Sequence, residues 1–141
     1  SRGARRVICV DVGTDQLHPQ LRRDARVELH EKTDIRDFAT DQSVNIILID
    51  VSFISLREVL PHLAGLATRQ TQVVAMVKPQ FETGNRLKNR GVIKNDTERR
   101  HILRDFEQWV KRYFLLRAKA DSAVAGARGN RERFYLLTKL T

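Results

Sequence analysis

The sequence predicts an α/β fold, a largely parallel sheet with helices packed against it. Three observations carry that reading. Three short apolar runs end abruptly in a charge: Val7-Ile8-Cys9-Val10 before Asp11, Ile46-Ile47-Leu48-Ile49 before Asp50, and Val73-Val74-Ala75-Met76-Val77 before Lys78. Runs of that length read as strands buried on both faces. Segments of helical period alternate with the later runs, the pattern of α/β proteins. The last two strand-like runs follow one another without a helix, so they predict a C-terminal antiparallel hairpin.

Arg6 to Asp11 reads as the first strand, closed by Gly13. Gln16 to Arg23 is a short polar helix or turn. Arg26 to His30 alternates and reads as a second short strand. Thr33 to Asp37 is a loop or a helix start, and Asn45 to Asp50 is the third strand. Ser55-Leu56-Arg57-Glu58 then carries a capping-box pattern: the Ser hydroxyl accepts from the amide three residues on, and Glu58 reaches back. Leu56, Val59, Leu60, Leu63 and Leu66 recur at helical spacing and face the core. Pro61 removes a helical donor and crowds the preceding turn, which predicts a kink or a restart.

Thr71 to Val77 is the fourth strand. Lys78 to Asn95 lacks periodicity and carries Lys88, Arg90, Gly84 and Gly91; a loop of that length in a compact domain is functional or disordered. Asn95 or Asp96 caps the next helix. Its apolar stripe is Ile102, Leu103, Phe106, Trp109, Val110 and Tyr113, with Arg99, Arg100, Arg104, Lys111 and Arg112 elsewhere. Leu115 to Ala120 and Phe134 to Leu140 are the final strands, joined by the loop Asp121 to Arg131. No internal repeat or domain boundary is legible, so residues 1–141 read as one domain.

The 141 residues carry a net charge of +9. Such a balance concerns partners rather than fold, and a polyanion such as RNA is the leading partner class. The plain alternative is a soluble protein that happens to be basic. One Trp, two Tyr and six Phe are too few for an interleaved stacking platform. No run approaches the roughly 18 apolar residues of a membrane span, and no signal peptide is visible, so no membrane partner is expected. The single Cys9 lies in an apolar run and reads as a buried, inert thiol. A reducing, cytoplasmic setting fits.

Parallel strands bring Asp11, Asp50 and Lys78 to one carboxyl edge, where open α/β sheets bind ligands. The antiparallel last strand starts at that same edge, which adds Glu132. Each residue also has a plainer reading. Asp50 is alone an ordinary strand-end residue, Lys78 a solvated loop lysine, and Glu132 part of a charged surface run. Asp11 and Asp34 alone are turn residues. The histidines His18, His30, His62 and His101 show no metal-ligand spacing.

Two longer motifs narrow this. Asp50-Val51-Ser52-Phe53-Ile54-Ser55-Leu56, and Val77-Lys78-Pro79-Gln80-Phe81-Glu82 with Gly84 and then Gly91-Val92-Ile93, resemble the hemolysin A (TlyA) family within the FtsJ-like rRNA 2′-O-methyltransferases. The resemblance runs from about Arg2 through Leu140. It implies a Rossmann-like, S-adenosylmethionine-dependent methyltransferase sheet acting on ribosomal RNA or a ribosomal subunit. It places Asp50, Lys78 and Glu132 at the last three positions of the family's Lys-Asp-Lys-Glu catalytic tetrad, with Asn130 as in Asn-x-Glu. It places Asp11 at the ribose hydroxyls of the methyl donor, Asp34 in the loop that reads the adenine, and Asp50 also beside the donor. The types suit the chemistry. A carboxylate accepts two hydrogen bonds from a diol. A ribose 2′-hydroxyl becomes nucleophilic when its proton is withdrawn, the task of a lysine of lowered pKa. The alternative is a lysine that orients the hydroxyl, and Asp50 and Glu132 are expected to orient the ammonium and the ribose.

The family pattern is incomplete here. Its N-terminal S4-type RNA-binding domain, first tetrad lysine, first strand and Gly-rich turn have no counterpart, and Val12-Gly13-Thr14 is not such a turn. In the family's strand order, 3-2-1-4-5-7-6, the absent strand leaves two unpaired edges inside the sheet. The expectation is that Val7–Val10 pairs directly with Asn45–Ile49 or that the chain self-associates through the gap. A chain with half the donor site is expected to be inactive alone. The alternative is a catalytically silent RNA-binding module with a methyltransferase-like fold. The label hemolysin implies membrane damage, which no feature of the sequence supports.

Overall fold

The computed structural model describes residues 2–84, 92–93, 95–126 and 129–141. The expectations for Lys88, Arg90 and Gly91 lie outside the described residues. The chain forms two compact units, Ser1–Asp41 and Gln42–Thr141. No local sequence signal marks that division, and the single domain read from the sequence contains it.

In the first unit, β1 (Val7–Val10) runs parallel to β2 (Val27–His30), with Val7 beside Val27 and Val10 beside His30. The short helix α1 (Pro19–Arg22) connects them, with Pro19 in its first turn, where a missing N–H costs nothing. A single 3-10 turn, Ile35–Asp37, follows β2. Every described residue of this unit is at least partly exposed. Cys9 is half-buried rather than enclosed, and burial raises its thiol pKa, which keeps it protonated and unreactive.

The second unit is a mixed sheet. β3 (Ile46–Ile49) lies parallel to β4 (Gln72–Val77), and β6 (Arg133–Lys139) is antiparallel to both β4 and β5 (Phe114–Asp121), giving the order β3-β4-β6-β5. The expected C-terminal hairpin is therefore present, its register shifted between Leu116 and Ala118. One face of the sheet is sealed. Val73, Ala75, Val77, Tyr135 and Leu137 are wholly buried, as are the core residues of α2 (Leu56–Leu66) and α3 (Asp96–Val110). Phe106 meets Tyr135 at 5.5 Å between ring centroids, and the Arg57 guanidinium lies 5.6 Å from the Trp109 ring. The other face stays open, with Leu48 76% and Ile46 57% exposed.

α2 is one continuous helix through Pro61, so the restart half of the kink-or-restart expectation is corrected. The proline sits in the middle of the helix and forfeits one backbone bond, while burial of Leu56, Val59, Leu60 and Leu63 holds the turns around it. Direct closure of the sheet does not occur either. Among the described residues, the ladder of β1 joins it to β2 alone and that of β3 joins it to β4 alone, so each keeps an edge with no ladder partner there. Such short edges offer few ladder bonds, each worth only about 1 kcal/mol net.

Candidate functional site

β4 delivers Lys78 to the carboxyl edge of the second unit. Its ammonium lies 2.7 Å from Asp50 Oδ1 and donates to Ser52 Oγ at 2.9 Å. The Lys78 side chain is 12% exposed and that of Asp50 67%. An ion pair that open on one side adds under about 1 kcal/mol of stability, so its value is geometric. Pro79 follows at once and opens a 3-10 turn, Pro79–Phe81, which ends the strand where the lysine emerges. Val77 pairs with Arg133 across the antiparallel ladder, so one further rung sets Lys78 opposite Glu132. Parallel pairing of Ile49 with Ala75 brings Asp50 to the same edge. The second unit thus brings Asp50 and Lys78 into contact, and the start of β6 puts Glu132 at the same edge of the sheet.

The turn after Asp50 is unusual. Phe53 has φ of 64° and is 91% exposed. A bulky residue in the left-handed region costs about 1–3 kcal/mol and persists only where its surroundings enforce it. Phe53 leans on Phe81, with ring centroids 5.3 Å apart. The carboxyl edge therefore presents an aromatic face to solvent beside the Lys78–Asp50 pair.

Glu82 fixes this edge from below, a role that the sequence reading missed. Its side chain is 1% exposed. It accepts the Ser55 hydroxyl proton at 2.6 Å and the Leu56 amide at 2.7 Å, and so caps α2 from another segment. Ser55 itself accepts from the amide two residues on, Arg57, rather than three. Burial raises the Glu82 pKa against the pull of these donors. The signal lay in the motif: one acid ends an otherwise uncharged stretch from Pro79 to Phe81.

The loop before β6 is equally tied. Asn130 is 3% exposed, and its side-chain oxygen accepts the Ile93 amide at 2.9 Å. Arg99, expected away from the apolar stripe, is buried, and donates to the Arg131 carbonyl at 2.9 Å and to Asp121 at 2.7 Å. Arg133 also donates to Asp121, and the Asp121 pKa falls to about 2 through the Arg133 hydrogen bond first and that of Arg99 second.

In the first unit, Asp11 emerges from β1, and its Oδ1 accepts the Gly13 amide at 2.7 Å. A Cβ on Gly13 would lie 3.2 Å from that oxygen, so glycine lets the carboxylate fold back. Asp34 caps the 3-10 turn through the Arg36 amide at 2.8 Å, and both of its oxygens take the Arg36 guanidinium, at 3.0 and 2.7 Å. Asp11 thus spends one oxygen on Gly13, and Asp34 is engaged by Arg36. Among the described residues no group of His, Cys, Asp and Glu could hold a metal ion, and no helix is long and apolar enough to cross a membrane.

Comparison with known proteins extends this geometry. Residues 1–139 match the model of the FtsJ-like methyltransferases. The chain is 37% identical over 139 residues to the Campylobacter jejuni protein named 23S rRNA (cytidine-2′-O)-methyltransferase TlyA, covering 96% of this chain and 54% of that protein. A proposed hemolysin of known structure from Streptococcus thermophilus is 36% identical with a TM-score of 0.89, over 97% of this chain and 52% of that one. The N-methyltransferase NodS from Bradyrhizobium japonicum, bound to S-adenosyl-L-homocysteine, shares the fold with a TM-score of 0.60 at 10% identity, over 94% of this chain and 66% of that one. The chain spans about half the length of the curated TlyA relative it matches. With its α/β sheet, its C-terminal antiparallel hairpin and these relatives, the chain belongs to the FtsJ-like methyltransferase family, among its TlyA and hemolysin A members.

Proposed function

We propose that this chain carries the reacting edge of an S-adenosylmethionine-dependent ribosomal RNA 2′-O-methyltransferase. The observation that carries the reading is the Lys78 ammonium, held by Asp50 and Ser52 at a strand's carboxyl end with Glu132 one rung across. When bound, S-adenosylmethionine supplies an electrophilic methyl carbon on a sulfonium, which leaves as a neutral thioether. Lys78 donates from Nζ to the ribose 2′ oxygen and orients its lone pair. Asp50 fixes the ammonium, and Glu132 accepts the hydroxyl proton at its carboxylate. Asp11 holds the donor's ribose hydroxyls, Asp50 borders the donor, and Asp34 contributes to the adenine side once it exchanges Arg36. Positioning supplies most of the acceleration in such a displacement. The exposed Phe53 gives a nucleobase a surface to stack on, worth about 1–3 kcal/mol per base. The net charge of +9 draws the RNA backbone.

The first unit offers only part of a donor site, so the 141 residues alone bind S-adenosylmethionine weakly and do not turn over. Isothermal titration checks this: micromolar affinity would show that a Gly-rich turn is dispensable. The bare edges of β1 and β3 favour self-association, readable as a concentration-dependent mass in sedimentation. The reaction itself is tested by replacing the matched segment of the Campylobacter jejuni TlyA relative with this chain. The hybrid is expected to transfer labelled methyl to 23S rRNA. The engagement of Asp34 by Arg36 favours a second reading, a silent RNA-binding module; salt-dependent RNA binding with no donor binding in the hybrid would select it.

A further inference from the structure

Three successive carbonyls around Glu132 are each held by a donor, two from the loop after β5 and one from α3. Gly126 N donates to the Asn130 carbonyl at 2.7 Å, Arg99 Nε to that of Arg131 at 2.9 Å, and Ser122 N to that of Glu132 at 2.9 Å. The Ile93 amide adds a fourth tie through the Asn130 side chain. The backbone that presents Glu132 is thus fixed from α3, from the loop after β5 and from the segment before α3.

Arg99 is the costly member. Its side chain is 9% exposed, and a buried cation loses several kcal/mol of hydration that its partner only partly returns. Apolar residues in such a place are often as stable or more so. What an apolar residue cannot supply is a donor to the Arg131 carbonyl. The guanidinium does this with Nε while Nη2 takes Asp121, a fixed fork whose two donor positions the single point of a lysine ammonium does not reproduce.

Gly126 sets the side chain. A Cβ there would lie 2.8 Å from Glu132 Oε1 and 3.1 Å from its Cδ, with the Asn130 carbonyl at 3.2 Å. The Glu132 carboxylate therefore rests in the space left by the missing side chain. The first of these contacts is to the far end of a flexible chain, so a methyl group there moves the carboxylate, while the Asn130 carbonyl has to give a little.

We propose that Arg99 and Gly126 are positioning residues for Glu132, Arg99 through the Arg131 carbonyl and Gly126 by leaving room for the carboxylate. The proposal deepens the methyl-transfer reading, since it gives Glu132 a built seat at the reacting edge. The test uses this chain labelled with 13C on the glutamate carboxyls. In Gly126→Ala, the Glu132 carboxyl resonance shifts, while the Leu56 amide keeps its position. In Arg99→Lys, the Arg131 and Glu132 amides shift as well. A Glu132 resonance that is superimposable on the wild type in Gly126→Ala, with the fold intact, would overturn the seat. Unmoved Arg131 and Glu132 amides in Arg99→Lys would overturn the clamp. In the TlyA hybrid, Gly126→Ala lowers kcat about 100-fold, the scale for misplacement by about 1 Å, with KM for RNA unchanged. An unchanged kcat there, with Glu132 displaced in the spectrum, overturns the role of Glu132 in the reaction and leaves its seat standing.

Discussion

The two units hold their candidate site residues in different ways. In the first, Asp11 is held by Gly13 and Asp34 by Arg36, each two residues on, as Asp24 is by Arg26. The longer ties there, Arg6 to Glu28 and Arg22 to Glu31, fall on the glutamates of β2 and the turn after it. In the second, the partners come from far along the chain: Asp50 with Lys78, Ser55 with Glu82, Ile93 with Asn130 and Arg99 with Asp121. A two-residue tie shapes a turn and forms without tertiary structure. A long-range tie forms only when the sheet is assembled, so it reports and enforces the geometry of the edge. The candidate reacting groups sit in the second kind of network and the candidate donor contacts in the first. Burial follows the same division, since the wholly buried core belongs to the second unit.

The largest expected effect on this contrast is in the core. Phe106→Ala removes a fully buried ring beside Tyr135 and should destabilise the second unit by about 3–5 kcal/mol. Leu29→Ala in the half-buried β2 should cost about 1 kcal/mol or less. Urea unfolding followed by Trp109 fluorescence measures the first, and amide exchange across β1 and β2 the second. Equal costs would erase the distinction.

Glu82 sharpens it next. Its folded pKa lies above the ordinary value of 4.5 because burial disfavours the charged form. The penalty is absent below pH 4.5, grows as pH rises through the folded pKa, and is fully present above it. The Glu82 contribution to stability is therefore expected to decline over that window. Glu82→Gln should flatten that decline in urea midpoints measured against pH. An identical profile in the variant would show that burial beside α2 does not raise the Glu82 pKa.

Asp121 titrates the other way. With a folded pKa of about 2 against 3.8, its stabilisation is present above pH 3.8 and lost as pH falls through 2. Asp121→Asn should remove that part of the acid sensitivity, seen in acid titration of the Arg131 and Glu132 amides. The smallest effect belongs to the first unit. Asp34→Asn keeps the cap of the 3-10 turn and loses only a half-exposed pair with Arg36, so unfolding should shift by under about 1 kcal/mol.

What could be read in the sequence follows from the same contrast. The strands ending in Asp11, Asp50 and Lys78 were legible because apolar runs cut by a charge are a local pattern. The hairpin was legible because no helix separates the last two runs. Glu82 and Arg99 were not, because their partners lie 22 to 32 residues away and no local pattern points there. Arg99 did leave a trace, since it falls three and four residues before Ile102 and Leu103, on the buried stripe. The bare edges of β1 and β3 were foreseen, but their closure was not realised: local apolarity says that a strand wants a neighbour, not that it finds one.

The central claim is that Lys78, set by Asp50 and Ser52, works at the reacting edge. The direct measurement is transfer of labelled methyl to 23S rRNA by the Campylobacter jejuni TlyA hybrid carrying this chain, with Lys78 intact and as Lys78→Met. The account predicts methylation at a ribose 2′ oxygen by the first and a loss of about 100-fold or more in the second, with RNA affinity retained. A folded hybrid that methylates equally well with methionine at that position would contradict it.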